Sequence, residues 1–410
     1  MTTRERTLVV SSPYREGAAR ALIACAAERG ALGFEIVPRP DAVARAASIP
    51  LPRRIAGTSL GRRARALRDL YATPAPHPVR HVSHLAEVIL RAGLRLPAPG
   101  VVLRASYLSK VLFDRAAARL RLPEDHTVLG FPGACLATFR ARPEARRVFH
   151  AVDAHPRAHN GELLRYFSRR RSWDERFPPR LVRRIEKELR LADVVLTPSA
   201  IVTEQMIRFG VDPSKIVEIP YGVNMDGFTP IGAVVPRDST RPRLICAAHV
   251  SLRKGFPQLL EAVRGIDVDL VLAGGVFDRR ILRSAPSNVT VRGLLSHDDL
   301  AREYRSADAF VLPTLEDACS LVVAEAAACG LPIITSDANG ASALLDPQQC
   351  RILPAGDVAA LRAALASVTV LDRTRREANA ARARSTEGTE SGVVDWPTYA
   401  TRVLDVILAL

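Results

Sequence analysis

Short apolar runs recur through the second half of the chain, at Leu244–Ala248, Val268–Ala273, Asn288–Val291, Ala309–Leu312, Pro332–Thr335 and Cys350–Leu353. Between them, apolar residues return at three- and four-residue intervals over Pro257–Val263, His297–Ser306, Ser320–Cys329 and Val358–Leu365. A strand that is apolar at nearly every position has both faces covered. Such strands alternating with helices therefore predict a parallel sheet layered by helices on both sides. The pattern predicts one doubly wound α/β domain over about 240–380.

The first half repeats the alternation with more helix. Thr7–Ser11, Phe34–Val37, Val148–Val152 and Asp193–Thr197 read as strands and Gly17–Arg29 as a helix, with arginine-rich amphipathic stretches at Gly61–Tyr71 and Arg104–Leu120. Asn224–Pro242 is rich in proline and glycine and lacks periodicity, which marks a linker. A second weak stretch, Ser385–Gly392, precedes an amphipathic helix at Trp396–Leu410. The expected organisation is two Rossmann-like domains: 1–223, a linker at 224–242, 243–390, and a C-terminal helix at 391–410 packing back on the first domain.

A chain of 410 residues accommodates two to four domains of ordinary size. With 48% hydrophobic and 25% charged residues it is neither a disordered chain nor a membrane bundle. No apolar run is long enough to span a bilayer, and the opening Met1–Leu8 does not read as a signal peptide, so a cytoplasmic protein is expected. The net charge of +15 is unevenly spread. Residues 1–200 hold 36 basic and 18 acidic side chains, while 201–410 hold 22 and 25. The first half is thereby expected to meet something anionic. Of the 58 basic residues 54 are arginine, a bias that fits a GC-rich genome and leaves only Lys110, Lys187, Lys215 and Lys254 as lysines. The six cysteines lie far apart without a Cys-x-x-Cys pair, which points to free thiols in a reducing compartment and to no zinc site.

Two segments of the second domain carry candidate chemistry. Asp317 and Glu325 stand eight residues apart, the first in the loop after the strand Ala309–Leu312, the second inside the following helix. Ser320 is placed to cap that helix, and Leu321 opens it, so its free N–H groups would face the same sheet edge. Two acids and a helix start at the carboxyl edge of a parallel sheet suit a ligand with vicinal hydroxyls and phosphate. The spacing fits an exposed loop acid and an ordinary surface glutamate equally well. The segment His249-Val250-Ser251-Leu252-Arg253-Lys254-Gly255 links the first strand of this domain to its first helix, where an open α/β sheet binds phosphate. A solvated helix start is the alternative. Lys254 stands out as a compact ammonium in a chain that otherwise uses arginine. Gly274 and Gly275, and Asn339-Gly340-Ala341, supply further turns at that edge. Asp267-Val268-Asp269 enters a strand instead of leaving one, so no metal site is expected there. In the first half, Asp153, His155, His159 and Asn160 follow the strand Val148–Val152, where they either steer an acceptor hydroxyl or form a solvated polar loop. Arg169-Arg170-Arg171 and the arginine-rich helices either touch anionic lipid or pack one face on the sheet and solvate the other.

Taken together, the segment from about Leu191 to Leu365 resembles the retaining glycosyltransferases of family 4. The resemblance rests on Ala192-Asp193, Pro198-Ser199, Gly210-Val211, Ile219-Pro220-Tyr221-Gly222-Val223-Asn224 leading to Phe228, Arg253-Lys254-Gly255, Asp308 to Pro313, and Glu325-Ala326 with Cys329-Gly330-Leu331-Pro332. It implies a GT-B fold, two Rossmann-like domains facing across a cleft, and a nucleotide-diphosphate sugar as co-substrate with no metal or other cofactor. It implies that Glu325 holds the donor ribose, Asp317 the hydroxyls of the transferred sugar, and Lys254 the diphosphate. His249 stands where the family usually has an arginine, with Arg253 as its substitute, and Ala318-Cys319-Ser320 replaces the usual Gly-Phe-Gly.

The expected site is thus Asp317, Glu325, Lys254 and His155 as catalytic groups, with His249, Arg253, Gly274, Gly275, Ser320 and Leu321 on the donor side and Asp153, His159 and Asn160 on the acceptor side. The acceptor is expected to be a glycan, a lipid-linked compound or another hydroxyl compound, with the basic half suited to an anionic one or to peripheral contact with an anionic membrane. A catalytically silent scaffold of the same fold is the competing reading, as is a nucleic-acid-binding protein using the basic half. The absence of an aromatic-interleaved basic groove speaks against nucleic acid.

Overall fold

The computed structural model describes residues 7–11, 17–38, 78–95, 99–122, 125–223, 227–237, 239–385 and 394–409. The amphipathic stretch expected at Gly61–Tyr71, positions 224–226 and 238 of the expected linker, and positions 386–392 of the second weak stretch lie outside the described residues.

Thirteen strands are described: β1 Thr7–Ser11, β2 Leu32–Pro38, β3 Val79–Val82, β4 His126–Gly130, β5 Arg146–His150, β6 Val194–Thr197, β7 Ile216–Glu218, β8 Arg243–Ala247, β9 Asp269–Ala273, β10 Val289–Gly293, β11 Ala309–Leu312, β12 Ile333–Ser336 and β13 Cys350–Leu353. The helices are α1 Gly17–Glu28, α2 His84–Arg95, α3 Pro99–Ala117, α4 Leu136–Arg140, α5 Pro156–Tyr166, α6 Pro179–Leu191, α7 Ala200–Arg208, α8 Phe256–Ala262, α9 His297–Ser306, α10 Leu321–Ala328, α11 Val358–Ala366, α12 Arg373–Ser385 and α13 Trp396–Ala409. The strands form two sheets, in the orders β3-β2-β1-β4-β5-β6-β7 and β10-β9-β8-β11-β12-β13, with parallel pairings. Both orders reverse direction beside a central strand, the arrangement that leaves a ligand-sized crevice at the carboxyl ends of the strands. Among the described residues no helix is long and apolar enough to cross a membrane.

The described residues gather into two compact units. The first comprises the described residues within 1–149, 183–193 and 407–409; the second comprises those within 150–182 and 194–406. In the first, Val9, Ile36, Val82, Ala86, Phe113, Ala117 and Ala134 form a buried cluster. The stretch expected as helical over Arg104–Leu120 starts earlier, at Pro99, and turns Phe113 and Ala117 inward while Arg104, Arg115 and Arg119 stay exposed. That distribution is the packed and solvated alternative for its arginines. Two buried acids hold the start of α4. Asp114 accepts from the amides of Ala137 (2.6 Å) and Thr138 (2.9 Å), and Glu188 from those of Gly133 (2.6 Å), Cys135 (3.2 Å) and Leu136 (3.1 Å). The guanidinium of Arg184 pairs with both carboxylates. Burial pushes the Glu188 carboxyl up to about 7, against the pull of Arg184 and the amides. Asp193 accepts from the amide of Arg147 (2.8 Å) and from its Nε (3.0 Å) and Nη2 (2.8 Å), which fixes the turn into β6.

Helix boundaries in the second unit follow capping chemistry. Ser296 Oγ accepts from the Asp299 amide (3.1 Å) at the start of α9, whose first turn carries Asp298 and Asp299 and whose last carries Arg305. Asp357 accepts from the Ala360 amide (2.9 Å) at the start of α11. α13 is anchored by aromatics: Trp396 and Tyr399 pack on Tyr221, and Tyr399 Oη lies 2.5 Å from His150 Nε2. Burial lowers the His150 imidazole to about 4.

The physical anchor of this unit is Asp308, whose side chain is fully buried at the entry to β11. It accepts from both terminal nitrogens of Arg237 (2.9 Å each), the Arg243 amide (2.7 Å) and the Leu371 amide (2.9 Å). Four donors from three separate segments thus converge on one carboxylate.

The structure also corrects three readings. The strand expected at Val148–Val152 starts and ends two residues earlier, as β5. The polar stretch Asp153–Asn160 is not a loop: α5 begins at Pro156, and His155 and His159 are buried within it or at its cap. β3, β4 and β7 were not foreseen, because each offers too few apolar residues to separate a short strand from a buried turn.

Removing the Asp308 carboxylate would leave two amides without their acceptor and Arg237 with the Ser306 carbonyl alone. Asp308→Ala should therefore cost about 3–5 kcal/mol, read as a lowered urea midpoint; an unchanged midpoint would remove Asp308 as the anchor.

Candidate functional site

The second unit concentrates its polar chemistry at the carboxyl edge of its sheet, in the loops after β8, β9, β11 and β12. Gly255 closes the first loop with φ of +71° and lies so close to Pro313 that a Cβ would sit 1.9 Å from its carbonyl oxygen. The glycine is needed for this packing and lets the preceding residues, Arg253 and Lys254, turn toward the loop after β11.

That loop contributes two consecutive buried acids, Glu316 and Asp317, only 4% and 6% exposed. Asp317 pairs with Lys254 Nζ and accepts from Ser320 Oγ at 2.7 Å, while Arg253 Nη1 stands 4.0 Å from its other oxygen. Burial works to raise its pKa, but Lys254, Arg253 and the Ser320 hydroxyl outweigh it and hold the carboxyl below its ordinary value. Glu316 Oε2 lies 2.6 Å from His159 Nδ1 and 3.9 Å from Arg253 Nη1. Its pKa is lowered too, burial again being overcome by Arg253 and His159. The two acids in turn outweigh the burial of Arg253 and hold its guanidinium firmly charged.

The second ring nitrogen of His159 faces the Glu175 carbonyl at 3.0 Å, and the ring packs on Phe177 with centroids 4.5 Å apart. The Glu175 carboxylate accepts from the amides of Leu252 (2.6 Å) and Arg253 (3.1 Å). Burial raises its pKa against these amides. Arg253, Lys254, Asp317, Ser320 and His159 are thus brought together, with Glu316 and Glu175 completing a set that sequence reasoning missed. Glu316 was visible as the neighbour of Asp317; nothing in the pattern around Glu175 singles it out.

The remaining expected residues are placed differently. Glu325 lies half-buried on α10, and no cation or hydrogen-bond donor among the described residues pairs with its carboxyl; burial alone raises it to about 7. Leu321 opens the same helix. Ser320 occupies the cap position, yet its hydroxyl turns to Asp317 and makes no capping bond; the Ser320 amide instead donates to Asn339 Oδ1 at 3.4 Å. The His249 ring rests against Gly275, and burial, then Lys254 and Arg253, hold its imidazole below the ordinary value. Gly274, with φ of +138°, approaches the Ala248 carbonyl so closely that a Cβ would lie 2.1 Å from its oxygen. Asp153 is exposed and adds to the field on Arg253. His155 is buried, its Nδ1 accepting from the Arg157 amide (3.2 Å) as the cap of α5 and its ring stacked on Phe209 at 4.5 Å. Asn160 clamps the backbone of Phe177 through both ends of its amide, at 2.8 and 2.9 Å. The His155 amide donates to the side-chain oxygen of Gln205 at 3.0 Å, so these bonds of His155 and Asn160 run to Arg157, Gln205 and Phe177. Asp269 opens β9 paired with Arg241 at 2.5 Å, and Asp267 is exposed.

What results is a cation pair neutralised by two buried acids, next to a helix carrying a carboxyl with no partner. Such a site can receive an anion by exchange: Lys254 and Arg253 turn to the incoming charge, and Asp317 is released to accept hydroxyl donors.

Residues 68–226 match the family described as Glycosyltransferase Family 4, and residues 241–369 the one described as Glycosyl transferases group 1. A D-inositol 3-phosphate glycosyltransferase of Xylanimonas cellulosilytica is 28% identical over 248 residues, 54% of this chain and 58% of that protein. A phosphatidyl-myo-inositol mannosyltransferase of Mycobacterium leprae is 32% identical over 209 residues, 47% of this chain and 53% of that protein. The chain thus spans somewhat over half the length of these curated relatives. Among solved structures, the HepE protein of Anabaena in complex with UDP and glucose superposes with a TM-score of 0.62 at 14% identity, covering 99% of this chain and 100% of that one. Sucrose-phosphate synthase of Thermosynechococcus elongatus gives 0.64 at 17% identity, covering 98% of each. At these identities the likeness is one of fold, two parallel-sheet α/β domains of GT-B type.

The elevated Glu325 carboxyl has a consequence for stability. A glutamate raised from 4.5 to about 7 contributes fully below pH 4.5, where it is neutral in both states, and loses that contribution as pH rises through 7. Glu325→Gln stays neutral throughout. Its melting temperature should match wild type below pH 4.5 and exceed it by a few degrees above pH 7. Parallel melting curves across that range would contradict the elevated carboxyl.

Proposed function

The chain belongs to the group 1, family 4 glycosyltransferases, and we propose that it transfers a sugar from a nucleoside diphosphate sugar to an acceptor hydroxyl with retention of configuration. The observation that carries this reading is the Arg253–Lys254 pair held beside Glu316 and Asp317 at the carboxyl edge of the group 1 sheet, with Glu325 unpaired on the next helix. A diphosphate brings the charge this pair is built to meet. Lys254 and Arg253 take up the negative charge that develops on the leaving phosphate, and no metal is required for that role. Asp317, released from Lys254, accepts from hydroxyls of the transferred sugar. Glu325 accepts from the donor ribose, which gives its desolvated carboxyl the hydrogen bonds it lacks. The bond from the anomeric carbon to the phosphate oxygen breaks as the acceptor oxygen attacks from the same face, and the acceptor proton passes to the departing phosphate.

For the acceptor we favour an anionic hydroxyl compound, phosphorylated or lipid-linked. The excess of 36 basic over 18 acidic residues in 1–200 supports this, as do relatives named for inositol 3-phosphate and phosphatidyl-myo-inositol. The basic half would also favour contact with an anionic membrane surface.

Lys254→Ala and Glu325→Ala should each lower turnover of the nucleotide sugar at least about tenfold while the fold is kept; wild-type rates of donor hydrolysis in both would falsify the assignment. Vesicles containing anionic lipid should retain the protein at low salt and release it at high salt, and neutral vesicles should not retain it. Equal partition onto both vesicle types would remove the membrane surface as a source of acceptor.

A further inference from the structure

The loop that presents Arg253 and Lys254 is gripped from outside by one residue. Both carboxylate oxygens of Glu175, in the connection between α5 and α6, are spent on consecutive amides, Leu252 at 2.6 Å and Arg253 at 3.1 Å. The same residue offers its carbonyl to His159 Nε2 at 3.0 Å, and His159 Nδ1 holds Glu316 at 2.6 Å. The Glu316 carbonyl accepts from Arg253 Nη1 at 3.3 Å, which returns to the residue whose amide Glu175 holds. The ring of bonds closes through four side chains, those of Glu175, His159, Glu316 and Arg253, and the backbone of Glu175, Glu316 and Arg253. Around it, Arg171 and Arg280 pair with Asp278, and Arg280 reaches Asp174 at 3.0 Å, so the segment carrying Glu175 is fastened to the same unit on both sides.

Amides at a strand-to-helix turn are ordinarily what such a sheet edge offers to a phosphate. Here they already hold an anion belonging to the chain, and a phosphate approaching them would meet the Glu175 carboxylate. We propose that Glu175 is a positioning residue for Arg253 and Lys254: it fixes the backbone ahead of them, so that the donor diphosphate is met by the two side chains and not by the loop amides. The inference rests on the nucleotide-sugar reading and goes beyond it by assigning the division of labour within the site. It also accounts for why the loop needs two adjacent cations: with the amides occupied, side chains must supply the positive charge.

The test is calorimetric titration of UDP, GDP and ADP, each beside its nucleoside, into wild type, Glu175→Ala and Glu175→Gln. Wild type should bind one of the diphosphates. Glu175→Ala should weaken that diphosphate at least about tenfold while leaving affinity for the matching nucleoside unchanged, because only the diphosphate depends on the cation pair. Glu175→Gln, which keeps one oxygen to accept one amide, should fall between. Unchanged diphosphate affinity in Glu175→Ala overturns the proposal, and so does a gain, which would mean that the carboxylate competes with phosphate for the amides. Equal loss for nucleoside and diphosphate also overturns it, as the mark of a general structural defect. Should Glu175→Ala not fold, wild-type diphosphate affinity in Glu175→Gln overturns it in the same way. If wild type binds none of the three diphosphates, the nucleotide-sugar reading falls and takes this proposal with it; binding by wild type with no change in the variants sinks the proposal alone.

Discussion

Two neighbouring carboxylates, Glu316 and Asp317, are buried at the carboxyl edge of a parallel sheet, and a buried charge persists only where cations and donors surround it. Most of what is specific about the second unit follows from that constraint. Lys254 and Arg253 are drawn to one loop tip, Ser320 gives up capping its own helix to donate to Asp317, and His159 is buried against Glu316. Each is an ordinary residue placed by an electrostatic demand that a neutral pair at 316 and 317 would not make.

The same demand explains why the site is settled in its centre and unsettled at its margin. Asp317 and Glu316 are both held below the ordinary carboxylate range because cations outweigh burial. Glu325 feels burial with no compensating partner and is pushed the other way. A ligand that offers hydroxyls to Glu325 and negative charge to Lys254 and Arg253 would relieve the first and take over the second. Opposite shifts in nearby acids are a mark of sites where binding has work left to do.

The first unit solves a similar problem for a different end. Asp114, Glu188 and Arg184 form a buried charged cluster, yet its acceptors are spent on the amides of α4 and the loop before it. Nothing there is held in reserve, and the cluster reads as a fastening. Arg104 and Arg115 on α3 and Arg119 just after it face solvent and contribute positive charge to the surface of this unit.

Apolar runs determined β8, β9, β11 and β12 to within a residue, because a strand buried on both faces has little freedom in composition. Helical periodicity likewise placed α9 and α11. Lys254 and Asp317 could be singled out because each follows one of those strands, which sets the pair at one sheet edge. What sequence left open was partnership. His159 and Glu316 are 157 positions apart, Glu175 and Leu252 are 77 apart, and Lys254 and Asp317 are 63 apart. No local pattern encodes such pairs, since each arises only when the sheet brings its loops to one edge. Tertiary structure therefore decided that Ser320 serves an acid and not a cap, that His155 is a helix cap stacked on Phe209, and that Glu175 holds the cationic loop. The physical reason is common to all three: short-range propensity fixes elements, while the burial of charge chooses partners across the fold.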